Sequence, residues 1–255
     1  LLSETAFVRI LIRGNWQAEI APGYWAGAGP VVFFGPNEFP LPVRVKGPFT
    51  VIGFAIHPGG WRSLFDRSAR DYADQMIPLS AAWGNIAERL WNETKDETDD
   101  TCLVTAMERA ISAQLAWIGL RAPDTQMNDF AAIARSDSTI RIDDAAAKIG
   151  LSVRQLERRC LATFGLSPKA VLRRSRFLDM ATAMRGFSSP SEEELAALRY
   201  FDQSHLNREF KRFAGMTPRA FERTQTPLFT AGLNLRNQAF ARPAADFRLK
   251  DGMPR

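Results

Sequence analysis

Apolar positions recur at two different spacings in the first 120 residues. Between Phe7 and Pro58 they gather in short runs rich in β-branched and aromatic residues: FVRILIRG (Phe7–Gly14), VVFFG (Val31–Gly35), PVRVKG (Pro42–Gly47) and FTVIGFAIHP (Phe49–Pro58). Each run is bounded by Gly, Pro or Asn, which predicts strands. Val43 and Val45 alternate with Arg44 and Lys46, the pattern of an antiparallel sheet with one solvated face. The glycine-rich stretch from Gly23 to Pro30 predicts a loop. From Trp61 onward the spacing turns helical, with helices expected over Trp61–Phe65 and over Ala81–Glu93, the latter capped by Ser80. An acidic connection, Glu93–Asp100, leads into Cys102–Ile118, where Leu103, Met107, Ala110, Ile111, Leu115 and Ile118 keep one face apolar for the core, a dimer surface or both.

The second half repeats one pattern. Pro123, Asp124, Asn128, Asp129, Ser136 and Asp137 surround a short apolar run, Phe130–Ala134, and predict a linker with a first helix. Ile142–Ile149 follows as a short alanine-rich scaffold helix. Gly150 then supplies a positive-φ turn, Leu151 anchors it and Ser152 caps the next helix. In that helix Leu156, Cys160 and Phe164 fall four apart and face a core, while Arg154, Glu157 and Arg158 make a stripe on the opposite side. Such a stripe can reach base edges in a major groove, because Arg pairs bidentately with guanine and Glu accepts from cytosine N4. Arg159 lies off the stripe, where a phosphate contact is expected.

A long helix, Ser167–Met184, begins at Pro168 and carries Arg173, Arg174 and Arg176 outside Val171, Leu172, Phe177, Leu178 and Ala181. Arg173 and Arg174 are expected on phosphate. The pattern then recurs about fifty residues after its first copy, and recurrence at fixed internal order is a stronger signal than either copy. Leu195–Leu198 is the expected scaffold helix, Tyr200 and Phe201 pack the turn, Asp202 to Ser204 provide caps, and Leu206, Phe210 and Phe213 are buried. The exposed stripe is Gln203, Ser204, Asn207 and Arg208, with Lys211 and Arg212 near the DNA backbone. After Thr226 the chain reads as a largely extended or disordered tail, with docking of Leu228–Phe240 on the domain as the alternative.

Charge sharpens this picture. The net charge is +5, but residues 1–125 carry 11 Lys and Arg against 14 Asp and Glu, and residues 126–255 carry 22 against 14. The basic half is where a polyanion would sit. Two cysteines, Cys102 and Cys160, and two histidines, His57 and His205, assemble neither a disulfide framework nor a metal centre at these spacings. His57, followed by Pro58-Gly59-Gly60, reads as a turn leaving a strand rather than an acid–base group. No apolar run reaches the length of a membrane span, and no basic-then-apolar leader precedes the first strand, so a cytoplasmic location without membrane contact is expected. The chain opens on Leu1 rather than Met, and native sequence is expected before it. The aromatic residues Trp16, Tyr24, Trp25, Phe33, Phe34 and Phe39 are candidates for an effector pocket, and packing of a small β domain explains them equally well.

The segment FDQSHLNREFKRFAGMTPRAF (Phe201–Phe221) resembles the signature of AraC/XylS-type transcription regulators, and GLSVRQLERRCLATFGLSPKAVLRRSRF resembles the first helix-turn-helix unit of the same domain. The likeness spans roughly residues 128–223. It implies two recognition helices joined by a long central helix and inserted into successive major grooves, with a sensor or dimerisation domain in the remaining half. By position it assigns base reading to Arg154, Glu157 and Arg158 in the first unit and to Gln203, Ser204, Asn207 and Arg208 in the second. Two positions depart from the family pattern. Arg199 stands where glycine is usual, and Cys160 replaces a usual phenylalanine, which predicts looser packing of the first unit. FTVIGFAIHPGGWRSLF and MIPLSAAWG resemble, more weakly, a sensor type attached to such domains.

The expected fold class is thus α+β: a mainly antiparallel β domain with helices over residues 1–122, including a dimerisation helix at 101–118, and an all-α DNA-binding domain over 128–226 with units at 142–164 and 194–213. Residues 227–255 form the tail. The expected function is sequence-specific DNA binding in transcription regulation, controlled by a small-molecule effector through the N-terminal half. Double-stranded DNA is the expected partner, with RNA polymerase added if the chain activates, homodimerisation through 101–118, and no cofactor. The alternatives are control by a protein partner without a ligand, and an enzyme carried on a DNA-binding domain. The DNA-repair methyltransferases that are fused to this kind of domain use a cysteine-rich zinc site, which one cysteine in the N-terminal half does not supply.

Overall fold

β1 (Phe7–Ala21) organises the N-terminal half of this computed structural model, which describes residues 2–187 and 203–241. The strand continues past its expected end because Gly14 adopts φ +96°, and a Cβ there would stand 2.5 Å from the Pro48 carbonyl oxygen. Bulges on either side of Arg13 bend β1 at this point. β4 (Val43–Ala55) fuses the two runs expected as separate strands and pairs antiparallel with β1, from Phe7 opposite Ala55 to Ala18 opposite Val43. Along its other edge β1 pairs first with β3 (Val31–Phe34) and then, at its far end, with β2 (Tyr24–Ala26), a short strand inside the expected loop. β5 (Met76–Pro78), which has no sequence signal of its own, extends the sheet beyond β3.

Alternation divides the sheet residues between two cores. Val8, Ile10, Val31 and Phe33 face a cluster built on Trp61, Phe65, Tyr72, Trp83 and Leu90. Phe7, Trp16, Val32 and Phe34 face the other way. This is why all four residues of β3 are buried. The helical layer over the first face comprises α1 (Trp61–Leu64), α2 (Ser80–Trp83), α3 (Asn85–Thr94) and α4 (Asp100–Ile118). The single helix expected over 81–93 is broken by Gly84, at φ +52° and ψ −133°, and Ser80 lies within α2 rather than capping it. Asp99 caps α4, its carboxylate accepting the Cys102 N–H at 2.9 Å.

Asp124 caps α5 (Thr125–Ser136), so the expected short helix begins earlier than its apolar run. α6 (Ile142–Lys148), α7 (Val153–Phe164) and α8 (Pro168–Met184) follow. Ser152 and Gln155 form a reciprocal capping box at the start of α7, and Gly165, at φ +68°, ends it. Beyond the undescribed stretch come α9 (Gln203–Ala214), α10 (Pro218–Arg223) and α11 (Pro227–Ala241). The expected scaffold helix at Leu195–Leu198, with Arg199, Tyr200, Phe201 and Asp202, lies outside the described residues.

α8 joins two helical cores. Its Val171 and Leu172 pack with Phe130, Leu156, Cys160 and Phe164. Its Phe177, Leu178 and Ala181 pack with Phe210, Phe213 and Phe221. One helix buried at both ends makes the link between the units stiff. The tail departs from its expected extended form: Pro227–Ala241 is helical, Leu233 is buried in the second core with Phe229 packed beside it, and Arg236 pairs with Asp179 at 2.6 Å. Phe229 and Leu233, four apart on one face, outweigh the Gly232 between them and the Asn234 that follows.

Candidate nucleic-acid interface

The first candidate reading surface follows from how α7 buries its opposite face. Leu156, Cys160 and Phe164 are inside, and burial pushes the Cys160 thiol strongly up, so this cysteine is a packed apolar residue rather than a nucleophile. Arg154, Glu157 and Arg158 are exposed on the far side, as the spacing predicts. The capping box fixes where the helix begins and therefore which residues point outward. α6 and α7 meet through the Gly150 turn, where Gly150 has φ +68° and the Leu151 N–H donates to the Ala146 carbonyl at 2.9 Å.

In the second unit Phe210 and Phe213 are buried, and Ser204, Arg208 and Lys211 are exposed with Asn207 partly so. Gln203 is the first residue of α9. Thr217 caps α10 and Ser167 caps α8 in the same manner, each hydroxyl accepting a backbone N–H three residues on. The repeated Ser/Thr-Pro after each α7- or α9-type helix is thus a repeated cap with proline at the first helical position.

The arginines expected on phosphate are placed differently. Arg159 forms an ion pair with Asp124 and also donates to the Gln126 side chain, which holds α7 to the start of α5. Arg173 pairs with Glu209, a nearly buried carboxylate on α9. Arg212 pairs with Glu38, in the segment between β3 and β4, and its guanidinium lies 5.3 Å from the Phe39 ring centroid. Arg174 is 1% exposed and donates through Nη1 to the Asn37 carbonyl at 3.3 Å and through Nη2 to the Glu4 carbonyl. Burial lowers its pKa to about 10, with the Glu4 charge opposing the shift. Arg174 is therefore a structural cation and does not reach a phosphate in this arrangement. Lys211 keeps the exposure a phosphate contact requires. Sequence pattern missed these pairings because every acceptor comes from a different segment of the chain.

Further contacts bring the reading units against the N-terminal half. The Ser68 hydroxyl donates to the Leu161 carbonyl at 3.3 Å, and a Cβ on Gly165 would stand 3.0 Å from the Ala69 carbonyl oxygen. The Asp124 N–H donates to the Gly59 carbonyl at 2.7 Å, and His57 Nδ1 lies 2.7 Å from Asn128 Oδ1. His57 follows β4 and precedes the 3-10 turn Pro58–Gly60, as the turn reading expects.

The aromatic pocket candidates separate into three groups. Phe34 and Phe39 line a cavity of about 210 Å³. Trp16 packs behind Phe34 at 4.9 Å, and Phe33 points to the opposite face, where it meets Tyr72 edge-on at 5.5 Å. Tyr24 is 63% exposed, and Trp25 lies under the Arg44 guanidinium at 4.6 Å. Only strand register could have joined Phe7 to this wall: it sits opposite Phe34, their rings 4.5 Å apart.

Among the described residues no group of three or more His, Cys, Asp and Glu could hold a metal ion, and no helix is long and apolar enough to cross a membrane. Neither a curated protein nor a solved structure matches the chain. Residues 145–224 match the family model described as a helix-turn-helix domain, covering the first unit, α8, α9 and α10. With α7 and α9 in those positions and the match spanning both, residues 145–224 form a helix-turn-helix domain of the AraC type, which supports a DNA-binding transcription regulator.

Proposed function

We propose that the chain reads a bipartite duplex site and that its N-terminal half controls this reading in response to a small molecule. Arg154, Glu157 and Arg158 of α7 read one element, and Gln203, Ser204, Asn207 and Arg208 of α9 read the other. The observation that carries this is the pair of polar stripes on helices whose opposite faces are buried, held at fixed separation by α8. Phosphate contacts supply most of the affinity and base contacts the choice of sequence. Selection of bound duplexes from a randomised library at two salt concentrations tests it. Enrichment of two elements about one helical turn apart is expected. Salt-sensitive binding with no enriched sequence rejects base reading by the stripes.

A second mode of control, through a protein partner or a second copy of the chain, is favoured by α4. Trp117 is 80% exposed at its C-terminal end, with exposed Leu120 three residues on, and Val104 is exposed nearer its N-terminal end. Light scattering over a concentration series, with Trp117→Lys beside the unaltered chain, separates a dimer from a monomer.

A further inference from the structure

The segment from Gly35 to Pro42, between β3 and β4, has two working sides. Facing inward, it closes the cavity of about 210 Å³, whose other walls include Phe7, Phe34 and Met76. Facing outward, it holds the second reading helix: Glu38 pairs with Arg212, Phe39 lies under the same guanidinium, and the Asn37 carbonyl accepts from Arg174. Pro40 also lies beside the end of α9, with its Cγ 3.7 Å from where a Gly215 Cβ would stand.

The chemistry of the cavity selects for charge. Its polar groups are the carboxylates of Asp74 and Glu19 and the amides of Asn37 and Gln75, and no Lys, Arg or His is among the residues lining it. An anion entering here would face two carboxylates and no cationic side chain on the cavity wall, although the charge of the buried Arg174 bears on Asp74. A cation with an apolar body would meet carboxylate oxygens and aromatic faces together. Asp74 is a strained anchor for this purpose. It adopts φ +56°, and its Oδ1 accepts the N–H groups of Glu38 at 2.8 Å and Phe39 at 3.2 Å. Burial pushes the Asp74 carboxyl above its ordinary value, a penalty that a neighbouring cation relieves.

The same carboxylate therefore ties together the ligand wall and the backbone that presents Glu38 to Arg212. A cation at Asp74 competes with those two N–H groups for the carboxylate and loosens the clamp. Arg212 is prepared for exchange, because its buried Nε has no hydrogen-bond partner in this arrangement and a phosphate would offer charge-assisted bonds.

We propose that this cavity binds a small organic cation with an apolar body, and that its occupancy, transmitted through Gly35–Pro42, transfers Arg212 from Glu38 to a DNA phosphate. The proposal rests on the ligand-controlled reading above and assigns that reading its ligand class and its relay.

The test uses the full chain with carbon-13 in the methionine methyl groups and nitrogen-15 in the arginines. 2-Phenylethylammonium and 3-phenylpropionate, similar in size and opposite in charge, serve as probes. The Met76 methyl resonance, identified by its loss in Met76→Leu, is expected to move with the cation and not with the anion. The Arg212 Nε–H resonance, identified with Arg212→Lys, is expected to move in parallel. Asp74→Asn, which keeps an oxygen for the two backbone N–H groups, should weaken the cation roughly tenfold or more. Glu19→Gln offers a second, milder reduction should Asp74→Asn fold poorly.

Saturating cation should also steepen the plot of log Kd for a duplex against log salt by about one contact. Glu38→Gln should produce the same slope without any probe. Equal response of Met76 to both probes, or to neither, overturns the ligand class. A Met76 response with Arg212 unmoved overturns the relay. Absence of duplex binding with and without probe overturns the DNA-reading proposal instead, and the two resonances still judge the cavity.

Discussion

Arg174, in the middle of α8, donates to the backbone carbonyl of Asn37, 137 residues earlier in the chain, at 3.3 Å. With its second bond to the Glu4 carbonyl, this side chain pins the helix linking the two reading units to the β3–β4 segment and to the chain just before β1. Replacing it with Leu leaves two backbone carbonyls to lose their donor. Each unpaired buried acceptor is expected to reduce stability by roughly 1–3 kcal/mol. Urea denaturation should show a lower midpoint for Arg174→Leu, and an unchanged midpoint would contradict the structural role.

Arg159 separates two uses of an arginine on a reading helix. Its pairing with Asp124 predicts that Arg159→Ala lowers stability by about 1 kcal/mol while leaving the salt slope of duplex binding as it was. A direct phosphate contact would instead lower that slope by about one. Fluorescence anisotropy across a salt series decides between them.

Base reading and backbone contact predict different losses. Arg158→Ala and Arg208→Ala should each weaken a selected site by roughly 1–3 kcal/mol and relax preference at one base position. Lys211→Ala should weaken selected and random duplexes about equally. Unchanged affinity and preference in both arginine variants would remove the stripes as readers.

Gly59 tests the seam between the two halves. A Cβ at this position would stand 1.9 Å from Asn128 Oδ1 and 2.5 Å from the Asp124 carbonyl oxygen. Gly59→Ala should therefore force α5 away from the 3-10 turn and lower stability by roughly 1–3 kcal/mol. Gly60→Ala, which meets nothing within 4 Å, is the matched control. Similar melting temperatures for the two variants would mean that the seam yields without loss.

His57 gives that seam a pH dependence. Burial lowers its pKa, and the Arg135 charge adds to the shift, while the Asn128 hydrogen bond and the Glu4 charge oppose it. The native state therefore disfavours the imidazolium. The unfolded chain takes up the proton first, so stability falls as pH drops through the ordinary value of 6.5 toward the lower native one. Chemical denaturation between pH 8 and pH 5.5 should show this loss, and His57→Gln should flatten it. A curve of the same shape in both proteins would assign the dependence to other groups.

Local rules were sufficient for the helices of the reading units. Ser152 with Gln155, Ser167-Pro168 and Thr217-Pro218 mark helix starts through bonds to neighbours within three residues, and Leu156, Cys160 and Phe164 declare their buried face by spacing alone. The positions of β1, β3 and β4 were legible for the same reason, since alternation is a property of consecutive residues, whereas β2 fell inside an expected loop. What the pattern could not supply was any contact between distant segments. β5 has three residues and exists because β3 offers it an edge. Phe33 and Phe34 are adjacent and equally aromatic, yet only the placement of the helical layer sends Phe33 into the core and leaves Phe34 on the cavity wall. Arg159, Arg173, Arg174 and Arg212 look alike as basic residues near reading helices, but their partners come from residues 124, 209, 4 and 37, and 38. A charge count assigns them all to DNA; the folded chain spends Arg174 and Arg212 on holding its two halves together and Arg159 and Arg173 on holding helices of the reading half to one another, because an arginine takes the acceptor that packing brings within reach.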